Sequence, residues 1–115
     1  MKIKVKTWIE KDGKLIFGRG KEKILQAIQE TSSLNKAAKK LNMSYRAAWS
    51  HIKAIEKRTG KQLLIRQKGG KSGGGAELTP FAEELIEKFE KLDNNIKIFS
   101  ENKFKEIFGD SNGNI

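Results

Sequence analysis

The stretch SLNKAAKKLNMSYRAAWSHIKAIEKRTG, residues 33–60, decides the fold. Ser33 is an N-cap residue ahead of Leu34, Ala37, Ala38 and Leu41, whose spacing predicts a helix over roughly 34–41. Asn42-Met43-Ser44 is a turn. Asn42 tolerates a left-handed backbone, and the Ser44 hydroxyl caps the next helix. That second helix is predicted from Tyr45 to Arg58, with Ala48, Ile52 and Ile55 on one line at spacings of four and three, and Thr59-Gly60 ends it. Two short helices across a three-residue turn, the second one basic, form a helix-turn-helix pattern.

Working outward, QLLIRQ (62–67) reads as a strand, GGKSGGG (69–75) as a loop, and Ala76–Thr79 as a returning strand. A helix-turn-helix followed by a hairpin is the winged arrangement. Thr79 and Pro80 then start a long helix to about residue 100, with Glu83 in its first turn. Its apolar residues Phe81, Leu85, Phe89, Leu92, Ile96 and Phe99 are spaced 4, 4, 3, 4, 3, and the last four steps fit a heptad seam. That stripe is longer than the small core can cover. Leu85, Phe89, Leu92, Ile96 and Phe99 are therefore expected to form a dimer interface, with Phe104, Ile107 and Phe108 folding back onto it.

Upstream, residues 2–10 alternate as a strand, with Ile3, Val5, Thr7 and Ile9 on one face. Asp12-Gly13 is a hairpin turn signal, 14–17 the return strand, and Gly18-Arg19-Gly20 a break before a helix over 21–30. The expected fold class is mainly α with small β: a winged helix-turn-helix with an N-terminal β-hairpin and a long C-terminal dimerisation helix. Residues 1–79 are read as the DNA-binding part, 80–108 as the long helix and dimerisation segment, and 109–115 as a disordered tail.

Composition narrows the function. The 115 residues contain no cysteine, so disulfides, thiolate metal sites and cysteine nucleophiles are excluded, and with one histidine, His51, neither a His-rich metal site nor a Ser-His-Asp triad is expected. No nucleophile–base couple or paired acids stand out; the chain is read as a non-enzyme without cofactors or metals. No apolar run approaches a membrane span and the MKIKVK start is no signal peptide, which points to the cytoplasm. Eleven of the 24 Lys/Arg lie in residues 36–71 against a single acid, Glu56, and elsewhere the signs balance. That one segment carries the whole net charge of +10, the footprint of a polyanion partner.

Double-stranded DNA fits this pattern. With Ala48, Ile52 and Ile55 turned inward, the second helix presents Arg46, Ser50, Lys53 and Lys57, flanked by Tyr45 and Trp49 on one side and His51 and Ala54 on the other. Ser44 caps the end whose amides and dipole face a phosphate. Arg46 is the natural bidentate guanine reader and Ser50 donates or accepts. Lys53, Lys57 and the wing lysines Lys68 and Lys71, with Ser72 beside them, suit the backbone. Trp49 is either a stacking group at the duplex or an anchor between helix and wing. His51, with no partner ligand, is a phosphate contact or a surface imidazole. Gly70-Lys71-Ser72 is no nucleotide-binding P-loop, because Ile65 stands where its first glycine belongs and no helix comes after it.

The run 34–86 resembles the N-terminal DNA-binding domain of the ModE family of molybdenum-responsive transcription regulators. The marks are Met43-Ser44-Tyr45-Arg46 with Ala48-Trp49, and Gly69 through Ala76 with Leu78-Thr79 just beyond. The opening Lys6-Thr7-Trp8-Ile9-Glu10, with Asp12-Gly13 and Gly18, extends the likeness to roughly residues 4–95. LysR-type regulators are the near relative. The resemblance implies a sequence-specific regulator acting as a homodimer on a palindromic site; the alternative is a non-specific nucleoid or architectural protein. In the ModE family the oxyanion-binding domains lie C-terminal to this module, and only about 15 residues come after the helix here. No molybdate or tungstate ligand is therefore expected on this chain.

Overall fold

The computed structural model describes residues 1–66 and 75–109. In chain order it holds β1 (Trp8–Lys11), β2 (Lys14–Gly18), α1 (Arg19–Thr31), α2 (Leu34–Lys40), α3 (Tyr45–Thr59), β3 (Leu64–Arg66), β4 (Ala76–Leu78) and α4 (Pro80–Phe108). The winged helix-turn-helix with an N-terminal hairpin is the architecture observed. The expected tail beyond Gly109 and the loop residues 67–74 lie outside the described residues.

Local chemistry sets most boundaries. Ser33, Ser44 and Thr79 each accept a hydrogen bond from the amide three residues on, capping α2, α3 and α4. Asn42 takes a left-handed φ of 56°, and its amide donates to the Lys39 carbonyl at 3.1 Å, which turns the chain between α2 and α3. Asp12 and Gly13 both have positive φ, 53° and 76°, so the first hairpin closes through a two-residue primed turn.

Three expectations about element bounds are corrected. The first strand does not run over 2–10: pairing with β2 begins at Trp8. Residues 1–7 have no strand partner among the described residues, and Met1–Lys4 line a hollow beside Glu101, Phe104 and Lys105 of α4. Gly18-Arg19-Gly20 does not break the chain either. Gly18 ends β2, caps α1 with its backbone, and faces Trp8 so closely that an added Cβ would stand 3.3 Å from the Trp8 Cβ. The last helix does not stop near residue 100 but continues to Phe108, so Phe104, Ile107 and Phe108 do not fold back.

The core is built from α1, α2, α3, both hairpins and the first half of α4. Phe17, Leu25, Ile28, Ile52, Ile55 and Leu63 are fully enclosed. A register shift between Ile9 and Glu10 leaves Ile16 unpaired in β2, so Ile16 and Phe17 are both buried although they are neighbours in a strand. Phe17 meets Phe89 of α4 edge to face at 5.2 Å. Phe89 is 1% exposed, so it belongs to its own protomer's core and not to a seam between chains.

A buried ionic group fixes α4 to this core. Arg19 pairs with Glu22 on α1 and with Asp93 on α4, and Lys97 reaches Asp93 at 3.2 Å. Burial raises Glu22 above the usual carboxylate range despite its bond to Arg19, and its Oε2 has no hydrogen-bond partner. Burial also pushes Asp93 upward, but hydrogen bonds from Lys97 and Thr7 and the charges of Lys97 and Arg19 outweigh it and hold Asp93 low. Periodicity gave no sign of this group, because it joins residues 74 apart in sequence.

Candidate nucleic-acid interface

The outward face of α3 is dictated by its inward one. Ala48, Ile52 and Ile55 are buried, so one arc of the helix carries Arg46, Ser50, Lys53 and Lys57, all exposed. On a wheel of 100° per residue, Tyr45 and Trp49 stand on one shoulder of that arc and His51 on the other. Ser44, also exposed, accepts from the Ala47 amide at 3.0 Å and opens the helix at its positive end.

The wing-side shoulder is a built unit. Tyr45 and Trp49 lie parallel, 10° apart in plane and 6.5 Å between centroids. The Arg66 guanidinium of β3 lies 4.4 Å from the Trp49 ring and donates to the Tyr45 hydroxyl at 2.9 Å. Lys53 Nζ is also 4.4 Å from that ring, and 3.1 Å from Glu56 Oε1. Trp49 is half-buried, with the wing strand's Arg66 against its ring. Arg66 was not singled out in the sequence. Its position inside a strand hid that it lies over α3, and only the β3–β4 pairing brings it there.

Glu56, the single acid of the basic segment, has a structural task. Its Oε2 accepts from the Leu63 amide at 2.8 Å, which ties the end of α3 to the start of the wing. Thr79 closes the base of the hairpin, with its amide on the Leu63 carbonyl and its hydroxyl on the Gln62 carbonyl. Lys68, Lys71 and Ser72 lie outside the described residues.

A cleft of about 600 Å3 separates the start of α2 from the wing, with Asn35, Lys36, Lys39, Tyr45 and Arg66 among its walls. The α2 lysines there widen the cationic surface beyond the residues named from sequence. The helix stripe behaves differently. Leu85 is half-buried against the core, while Leu92, Ile96 and Phe99 are 43%, 36% and 64% exposed. No helix among the described residues is long and apolar enough to cross a membrane.

Residues 22–83 match the family described as bacterial regulatory helix-turn-helix protein, lysR family. The transcriptional regulator ModE of Haemophilus influenzae is 42% identical over 71 residues, which are 62% of this chain and 28% of that protein. The molybdenum transport protein ModE of Azotobacter vinelandii is 34% identical over 71 residues, 62% of this chain and 26% of that protein. The chain thus spans just over a quarter of the length of these curated relatives. Among solved structures, the DNA-binding domain of CbnR in complex with DNA superposes with a TM-score of 0.58 at 22% identity, over 76% of this chain and 95% of that one. That likeness establishes the fold. With more than half of its length inside the family match, this chain belongs to the LysR family of bacterial regulatory helix-turn-helix proteins.

Proposed function

We propose that this chain binds double-stranded DNA sequence-specifically as a two-fold dimer, and so regulates transcription in the cytoplasm. One observation carries the reading. The arc of α3 that faces away from the core holds Arg46, Ser50, Lys53 and Lys57, with no acid and no large apolar residue among them. Arg46 reads a guanine edge and Ser50 an adjacent base; Lys57, and Lys53 once released from Glu56, hold phosphates. Tyr45, Trp49 and Arg66 set the angle of the wing, whose Lys68, Lys71 and Ser72 reach the flanking backbone. Residues 1–79 do the binding and 80–108 the pairing, through Leu92, Ile96 and Phe99 with Leu85 at the margin. Support comes from the names of the relatives, one a transcriptional regulator, and from the CbnR domain having been solved on DNA.

Selection of bound sequences from a randomised duplex pool tests the reading. The expected result is a palindromic consensus with half-sites about one helical turn apart, or a multiple of that. Tight binding with no consensus would make the chain an architectural protein and overturn the sequence-specific reading.

A further inference from the structure

The shoulder of α3 opposite the wing opens into a cleft of about 410 Å3 between the N-terminal segment, the start of α1 and the middle of α3. Lys6, Trp8, Leu15, Lys21, Met43 and His51 stand in its walls, and no carboxylate among the described residues lines it. Lys21 is 8% exposed, and its Nζ lies 2.9 Å from His51 Nδ1. Among the described residues it makes no ion pair.

This arrangement is unfavourable three times over. A buried ammonium has lost its water. It occupies the first turn of α1, where the helix dipole opposes a cation. Its neighbours are another base and, through space, Arg58. Burial and then Arg58 hold Lys21 below the usual lysine range, and burial and then Lys21 hold His51 below its ordinary value. An anion in the cleft would relieve all three.

We propose that this cleft is a DNA-phosphate site, where Lys21 and His51 hold one backbone phosphate on the flank of α3 opposite the wing. The proposal rests on the DNA-binding reading above. With Lys21 donating to Nδ1, the ring proton of His51 sits on Nε2, and the ammonium keeps two further hydrogens; both groups can donate to phosphate oxygens. Trp8, Leu15 and Met43 provide apolar wall for the deoxyribose, and exposed Lys6 stands at the rim. The helix is then gripped on both shoulders, by the wing on one and by this cleft on the other.

Proton linkage is the consequence. The charged groups around His51 are Lys21 and Arg19 of α1, Lys6 of the N-terminal segment and, near Lys21, Arg58 of α3 itself; Arg19 is already paired with Glu22 and Asp93. All four are cations. A phosphate therefore raises the pKa of His51 on binding; protonation ends the acceptance by Nδ1 and leaves the Lys21 ammonium and the ring N–H groups to the anion, so DNA affinity rises as pH falls through the window between the free and bound values.

The test uses the full chain, a random-sequence duplex of roughly two helical turns and inorganic phosphate as separate probes. Anisotropy titrations against salt should show Lys21→Met weakening binding roughly 5- to 10-fold at 0.1 M salt and lowering the log–log slope by about 0.9 per chain. His51→Gln should abolish the rise in affinity between about pH 8 and 5.5. NMR titration of this single histidine should show its pKa rising when duplex is added. Should Lys21→Met fail to fold, the His51 measurements decide alone. An unchanged slope with an unmoved His51, in a chain that binds duplex, overturns the site and leaves the DNA-binding reading standing. A His51 response to inorganic phosphate but not to duplex assigns the cleft to a free anion and also overturns it. Absence of duplex binding by the native chain defeats the underlying reading itself.

Discussion

The two halves of α4 share one helix and one style of sequence, yet they meet different surroundings. In the first half Ala82, Ile86, Phe89 and Asp93 are buried, with α1 and β4 packed against this part of the helix and Phe17 of β2 against Phe89. In the second half, from Asn94 onward, no described residue is buried, and Ile96, Ile98, Phe99, Ile107 and Phe108 are all exposed. The apolar series that reads as a single heptad seam is in fact two lines. One centres on 82, 86, 89 and 93 and faces the core; the other runs through 85, 92, 96 and 99, roughly 80° around the helix. Apolar spacing shows that a face needs cover. It does not show whether the cover is the same chain or another one.

Substitutions in the two halves should therefore fail in different ways. The largest effect is expected in the first half. Phe89→Ala removes the ring that meets Phe17 and should cost about 3–5 kcal/mol, read as a lower melting temperature at any protein concentration. A melting point that moved only with concentration would return Phe89 to an interface.

On the uncovered line, Leu92→Glu with Ile96→Glu should leave a monomer's fold untouched and raise the dimer dissociation constant at least about 100-fold, since each side chain buried is worth ~1.5–3 kcal/mol. Light scattering at micromolar concentration reads the outcome. A native chain of 13.0 kDa in solution would sink the pairing model.

The third change lies away from both halves and checks that α4 only positions the reader. Arg46→Ala should cost ~1–3 kcal/mol on the selected site and relax discrimination at one base pair, without altering stability or mass. Uniform loss on specific and random duplexes would demote Arg46 to a phosphate contact.

The smallest effect concerns the junction between the halves, where Asp93 meets Arg19. Glu22 is raised in the folded state, so the native chain loses stability as pH climbs through that raised value. Asp93 is lowered, so its contribution is present above the ordinary aspartate range and is lost as pH falls through its folded value. Glu22→Gln keeps an acceptor for Arg19 and removes the cost of a buried charge. It should raise the melting temperature at neutral pH, with the gain vanishing toward pH 4. A gain that grew on acidification would contradict this.

The caps at Ser33, Ser44 and Thr79, the left-handed Asn42, the Asp12-Gly13 turn and the inward lines of α2 and α3 were legible in the sequence. Each rests on contacts within a few residues, and side-chain type alone encodes such contacts. Local chemistry likewise fixed the outward face of α3, because once Ala48, Ile52 and Ile55 point inward, Arg46 and Ser50 have one direction left. Tertiary structure alone decided what depends on residues distant in sequence. It put Arg66 over Trp49, Glu56 on the Leu63 amide, Lys21 beside His51 and Arg19 against Asp93. It also drew Phe89 into the core. These pairings are set by how the elements pack, and periodicity carries no record of which neighbour a face will meet.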